Sequence, residues 1–131
     1  GSDASYNAIF ERYGVLRVDD MDQLATALIM FAQPHKAADG GVVSLHDSGG
    51  ERQLTIDLAD QLNVPLTVLG ETAVAELENL LDPGLPAINP LDAWGTGGPG
   101  YQAQMQNCFS ALLNDPEAAL GAVIHARAPL G

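Results

Sequence analysis

Cysteine is nearly missing: Cys108 is the single one in 131 residues, so no internal disulfide can form, and the composition suits a reducing compartment such as the cytoplasm. Basic residues are scarce too. Five Lys and Arg stand against seventeen Asp and Glu, a formal charge of -12, and such a surface repels a nucleic-acid backbone. Neither DNA nor RNA is an expected partner. No apolar run approaches the roughly 18 residues that cross a bilayer, and the N-terminus has no basic stretch followed by an apolar one, so neither a membrane partner nor an export signal is expected. Aromatic residues make up 5%, too few to flank a flavin ring. Hydrophobic residues, at 47%, are ample for one modest core.

The residues fall into two rhythms. In SDASYNAIFERYG, Ser2 or Asp3 can cap a helix whose stripe is Tyr6, Ile9, Phe10 and Tyr13, with Gly14 closing it. VLRV is too short to assign. DDMDQLATALIMFAQ loads acid into a first turn and repeats Met21, Leu24, Leu28 and Phe31 at helical spacing. PHKAADGG, with His35, then breaks the pattern as a linker. From Gly41 the order becomes strand, turn, helix. GVVSL is a strand, ERQLTIDLADQLN a helix with Leu54, Leu58 and Leu62 expected to face a core, and VPLTVL the next strand. ETAVAELENLL is helical, and a Pro- and Gly-rich loop holds a short extended piece at Pro86–Asn89. YQAQMQNCFSALLND is helical, and LGAVIHA is a strand. Strands separated by helices, without hairpin signals, predict parallel pairing through right-handed crossovers. The fold class expected is α/β: an open sheet with helices on both faces.

The junction LHDSGGERQL lies where open parallel sheets collect ligands, beyond the carboxyl ends of the strands. A helix start offers unpaired N–H groups and about half a positive charge, and paired glycines let an anion approach the backbone closely. Ser48 adds a hydroxyl. The same residues also read as a plain cap and tight turn, with Asp47 or Ser48 as the N-cap. No Lys-Ser or Lys-Thr follows the glycines and the third glycine of a dinucleotide fingerprint is missing, so neither a nucleotide P-loop nor a dinucleotide site is read here.

The order of strand, Ser48-Gly49-Gly50, a helix carrying Asp57, Gly70-Glu71-Thr72 after Leu69, and Asn89-Pro90-Leu91-Asp92 followed by glycine resembles the NDP-forming acyl-CoA synthetases, the superfamily of acetate-CoA ligase and succinyl-CoA synthetase. The likeness covers nearly the whole chain, and GSDASYNAIFERYGVLRV resembles the stretch that follows the family's phosphorylated-histidine loop. The resemblance implies a three-layer, flavodoxin-like CoA-ligase domain at residues 37–131, led in by a helical segment at 1–36 that follows a catalytic-histidine domain. It implies a fragment of an enzyme that interconverts acyl-CoA, phosphate and NDP with acid, CoA and NTP, and that is inactive in isolation. Its partners would be CoA-binding, catalytic-histidine and ATP-grasp domains of the same enzyme. CoA and ATP or ADP with Mg would be bound by those domains and none by this one. Here the helix N-terminus at Ser48, Gly49, Gly50, Glu51 and Arg52 would steady a phosphohistidine carried in from a neighbour, and no catalytic residue is expected in the chain. A fragment cut within a larger fold is expected to lack strands after Leu130.

Glu51 and Arg52 depart from the small or apolar residues common at those family positions. Glu51 suits the helix dipole but competes with phosphate, whereas Arg52 offers a forked contact to it; the two also read as a local ion pair. A second loop, Asn89 and Asp92 with Gly95 and the following Trp94-Gly95-Thr96-Gly97-Gly98 run, would line the same crevice or simply form turns, with Asp92 and Trp94 mainly structural. His46 and His125 fall near strand ends, but no Cys or carboxylate joins them at a ligand spacing, so no metal site is expected. Cys108, among apolar helix positions, reads as an inert buried thiol. The alternative function is a stand-alone flavodoxin-like module that binds a small anion or a partner protein without catalysis, and a third is a purely architectural domain.

Overall fold

A computed structural model describes residues 2–34, 38–95 and 98–125. His35 in the linker, Thr96, Gly97 and anything beyond Leu130 lie outside the described residues. The chain forms two compact units, Gly1–Lys36 and Ala37–Gly131.

In the first unit, helix α1 spans Asp3–Tyr13 and α2 spans Met21–Phe31. The Ser2 side chain caps α1, and Gly14 ends it in the left-handed region at φ 63°, a conformation that costs glycine little. Arg17 reaches back to Asp3 at 2.8 Å and holds that carboxyl below its usual range, chiefly by a hydrogen bond. Asp20 caps α2, accepting from the Gln23 amide at 2.7 Å, while Gln23 Oε1 accepts from the Asp19 amide at 3.0 Å. Neither helix contains a buried residue.

The second unit carries β1 (Gly41–His46), α3 (Gly49–Leu62), α4 (Glu71–Leu80), β2 (Leu91–Asp92), α5 (Tyr101–Leu113) and β3 (Ala118–Ile124). The three strands are parallel in the order β2-β1-β3, the open α/β sheet expected. Side chains alternate across a strand, so Val43 and Leu45 point one way and Ser44 and His46 the other. Val43 and Leu45 join Leu77 and Leu81 near α4 and Cys108, Ala111 and Leu112 of α5 in one apolar cluster. α3 packs against β1 and β2 and adds nothing to that cluster, which puts it over the face of Ser44 and His46. The layers are helices, sheet and helix.

Three expectations need correction. VPLTVL makes no ladder; it touches β1 through a single bridge, Leu66 to Val42. Pro65 has no N–H to continue the pairing, and the next rung belongs to a side chain. Asn89 accepts from the Ser44 amide at 2.9 Å and donates to the carbonyls of Val42 and Thr67 at 2.8 and 3.0 Å. The extended piece expected at Pro86–Asn89 does not pair either; pairing begins at Leu91. On α3, Leu54, Leu58 and Leu62 are 58%, 44% and 70% exposed. Ala59 is buried, and Arg52, Thr55 and Ile56 are half-buried in the same row. Both rows have helical spacing, and the smaller residues are the ones that let α3 lie close to the sheet.

Candidate functional site at the carboxyl edge of the sheet

All three strands deliver residues to one edge. His46 ends β1, opposite Asp92 of β2 and Ile124 of β3, and the chain then turns through Asp47 and Ser48 into α3. His125, just past β3, pairs its Nδ1 with the Asp47 carboxylate. Tyr101 opens α5, with Trp94 edge-on to its ring at 4.7 Å. Burial and the Asp47 and Asp92 charges hold the Tyr101 phenol above its ordinary pKa. Parallel crossovers start α3 and α5 at this edge, which is why residues so far apart in sequence meet there.

At the first turn of α3, Ser48 is the N-cap but makes no side-chain capping bond. Among the described residues, the amides of Gly49, Gly50 and Glu51 have no protein acceptor; the helix's own pairing begins with Arg52 donating to the Ser48 carbonyl at 3.0 Å. A Cβ at Gly49 would stand 3.2 Å from Asp92 Oδ2, close enough to press on that carboxylate. That carboxylate is held in place by its other oxygen, which accepts from the Trp94 amide at 3.1 Å. The turn is thus a set of bare donors with an acidic rim.

Arg52 and Glu51 are not an ion pair. Arg52 Nε donates to the Pro90 carbonyl at 2.7 Å, tying α3 to the loop before β2, and Glu51 Oε2 is buried with no hydrogen-bond partner. Among the described residues, His46 Nδ1 and the Tyr101 hydroxyl share that condition. His46 is fully buried and shares a hydrogen bond with Ser44 Oγ through Nε2 at 2.9 Å. Burial, with a smaller contribution from Arg52, lowers its pKa and outweighs the opposing pull of Asp92 and Asp47. Its ring is neutral near pH 7.

Of the positions read from sequence, Ser48, Gly49, Gly50, Glu51, Arg52 and Asp92 meet around this turn. Asn89 does not open into it, because its amide is spent on backbone groups. Gly95 lies against Asp82, where any Cβ would collide with the carboxylate. Tyr101 and the Asp47–His125 pair escaped sequence reasoning; only the strand register brings them together, and no local spacing announces it. Among the described residues no group of three or more His, Cys, Asp or Glu is placed to hold a metal. Cys108 is fully buried, and burial raises its thiol pKa.

No protein-family model matches the chain. The alpha subunit of ADP-forming acetate–CoA ligase II from Pyrococcus furiosus is 32% identical over 92 residues, 70% of this chain and 20% of that protein. The ADP-forming 4-hydroxybutyrate–CoA ligase of Nitrosopumilus maritimus is 24% identical over 132 residues, 100% of this chain and 18% of its own length. The chain therefore spans about a fifth of the curated relatives it matches. Among solved structures, a protein from Pyrococcus horikoshii OT3 superposes with a TM-score of 0.84 at 27% identity, over 100% of this chain and 29% of that one. The acetyl-coenzyme A synthetase 1 of Ca. Korarchaeum cryptofilum superposes at 0.82 in its apo form and 0.83 in complex with phosphate and ADP. Identity is 18% in both; each covers 99% of this chain, and 28% and 27% of the synthetase chains respectively.

Proposed function

Starting from a chain homologous to ADP-forming CoA ligases, we propose that it is the flavodoxin-like segment of an NDP-forming acyl-CoA synthetase. The whole enzyme would convert acyl-CoA, phosphate and NDP to acid, CoA and NTP, reversibly, in the cytoplasm. Residues 1–36 would lead in from a catalytic-histidine domain, and 37–131 would present the first turn of α3 to the phosphohistidine that this domain carries. CoA-binding and ATP-grasp domains would complete the partners, and CoA and the nucleotide with Mg would be held there. When bound, the nucleotide supplies or accepts the phosphoryl group, and this chain's residues only receive and orient it.

The observation that carries the reading is a donor set: three consecutive amides from Gly49 to Glu51 that have no acceptor among the described residues, with Ser48 as N-cap beside them, at the sheet edge. A helix dipole adds about 0.3–2 kcal/mol for an anion placed there, and each charged hydrogen bond adds more. Preorganised amides of this kind hold charge without a reorganisation step. No helix among the described residues is long and apolar enough to cross a membrane, which accords with substrates met in water. The test is Gly50→Val in the enzyme carrying all its domains. A Cβ at Gly50 meets only Ser48 Oγ, at 3.6 Å, so the fold accepts it while the branched methyls cover the amides. Turnover of acyl-CoA is expected to fall about 100-fold with CoA binding unchanged; unaltered turnover refutes the reading.

A further inference from the structure

Helix α2 reads MDQLATALIMF: eight of its eleven residues are apolar, yet none is buried. A helix so apolar on most of its sides is ordinarily covered by protein. Its Met21, Leu28 and Phe31 are 60–76% exposed. The same condition holds on α1, where Tyr6, Ile9 and Tyr13 share one stripe and each stays at least 50% exposed. The two helices scarcely touch each other, so neither stripe covers the other. Arg17 nevertheless folds the connector back along α1, bonding Asp3 at 2.8 Å and Asn7 at 2.5 Å, and both helices belong to one unit.

Six side chains at these exposures offer on the order of 800 Å², about what one partner gives to a stable interface. Charge singles out the same unit. The seventeen acidic residues divide as five in the first unit and twelve in the second, and the five basic residues as three and two. Two copies of so acidic a chain therefore repel each other least through the first unit. Both signs are present there, with Arg12 in the last turn of α1 and Asp22 in the first turn of α2. Neither forms a salt bridge among the described residues. About a two-fold axis, a contact between opposite signs occurs twice, once from each copy.

We infer that the apolar faces of α1 and α2 meet those of a second copy of this chain, making a symmetric dimer through the first unit. Burial of the stripes drives the association, and the charges of both signs around them select the register. The second unit has an exposed apolar row of its own, Leu54, Leu58 and Leu62 on α3, but it belongs to the unit with the larger share of acid and stays outside the interface. The inference is independent of the phosphoryl reading, because no residue of the α3 turn takes part in it.

Sedimentation equilibrium of the 131-residue chain, from about 1 to about 200 µM in about 150 mM salt, reads the association directly. The mass is expected to rise to that of two chains, with Kd in the micromolar range. Leu28→Glu and Phe31→Glu set a charge in the apolar face and are each expected to raise Kd at least about tenfold, whereas Leu54→Glu on α3 is expected to leave it within about twofold. All three positions are exposed, so urea midpoints followed at Trp94 are expected to match the wild type. A wild-type chain that stays monomeric at the highest concentration overturns the inference. So does a dimer that Leu54→Glu breaks, or one that survives both α2 variants. Association that continues past two copies overturns it as well, since a two-fold contact closes on itself.

Discussion

At Asn89 a side-chain amide takes the place of a strand. Its three hydrogen bonds, to Ser44, Val42 and Thr67, bridge β1 to Thr67 where a direct ladder past the Leu66 bridge would run, and so join β1, that bridge and the approach to β2. Asn89→Ala removes the partners of the Thr67 carbonyl and the Ser44 amide, while the Val42 carbonyl keeps the Thr67 amide at 3.1 Å, and a loss of about 2–4 kcal/mol is expected in urea unfolding. The Asn-Pro-Leu-Asp stretch stands out in the sequence as a loop, but nothing in it says whether the amide faces a ligand or the backbone, because that depends on which strand lies beside it. His46 gives a second residue-scale expectation. Its folded-state pKa is lowered by burial, so the unfolded chain takes up a proton that the folded one refuses. Stability is full above the ordinary histidine value of about 6.5 and declines as pH falls through it. Thermal melts from pH 7.5 to 5 should show a steeper decline for wild type than for His46→Asn, and parallel curves would contradict the assignment.

At the scale of elements, the helices were legible because their caps and spacing act within a few residues: Ser2 and Gly14 bound α1, and Asp20 starts α2. Which face of α3 meets the sheet was not legible. Leu54, Leu58 and Leu62 form as good a stripe as Arg52, Thr55 and Ala59, and periodicity cannot rank two stripes on one helix. The sheet chose the row with small Ala59 and with Arg52, whose Nε closes on Pro90. Leu54→Ser should therefore change unfolding free energy by less than about 0.5 kcal/mol. Leu77→Ala, which empties a fully buried position between α4 and the sheet, should cost about 2–5 kcal/mol. The short strands fared worst, since VPLTVL has the composition of a strand but keeps a single bridge. Pairing is a property of the neighbour as much as of the segment.

For the whole molecule, composition spoke most clearly about what to exclude. A charge of -12 opposes a nucleic-acid backbone on electrostatic grounds and also makes the bare amides of α3 stand out as donors in an acidic chain. The lone thiol behaves as its surroundings dictate: Cys108 lies inside the apolar cluster with its pKa raised, so a disulfide-exchange reagent at pH 8 should label it only as fast as the protein opens. Labelling at the rate of a free thiol would show a looser core. The parallel sheet gathers Ser48, Glu51, His46, Asp92 and Tyr101 at one edge, the edge that the proposed function assigns to a phosphoryl group. The most direct test is a titration of the folded chain with phosphate or sulfate at millimolar concentration, read at the amides of Gly49, Gly50 and Glu51. Saturable shifts confined to that turn, and lost in Gly50→Val, are predicted; signals that stay still throughout would contradict the account.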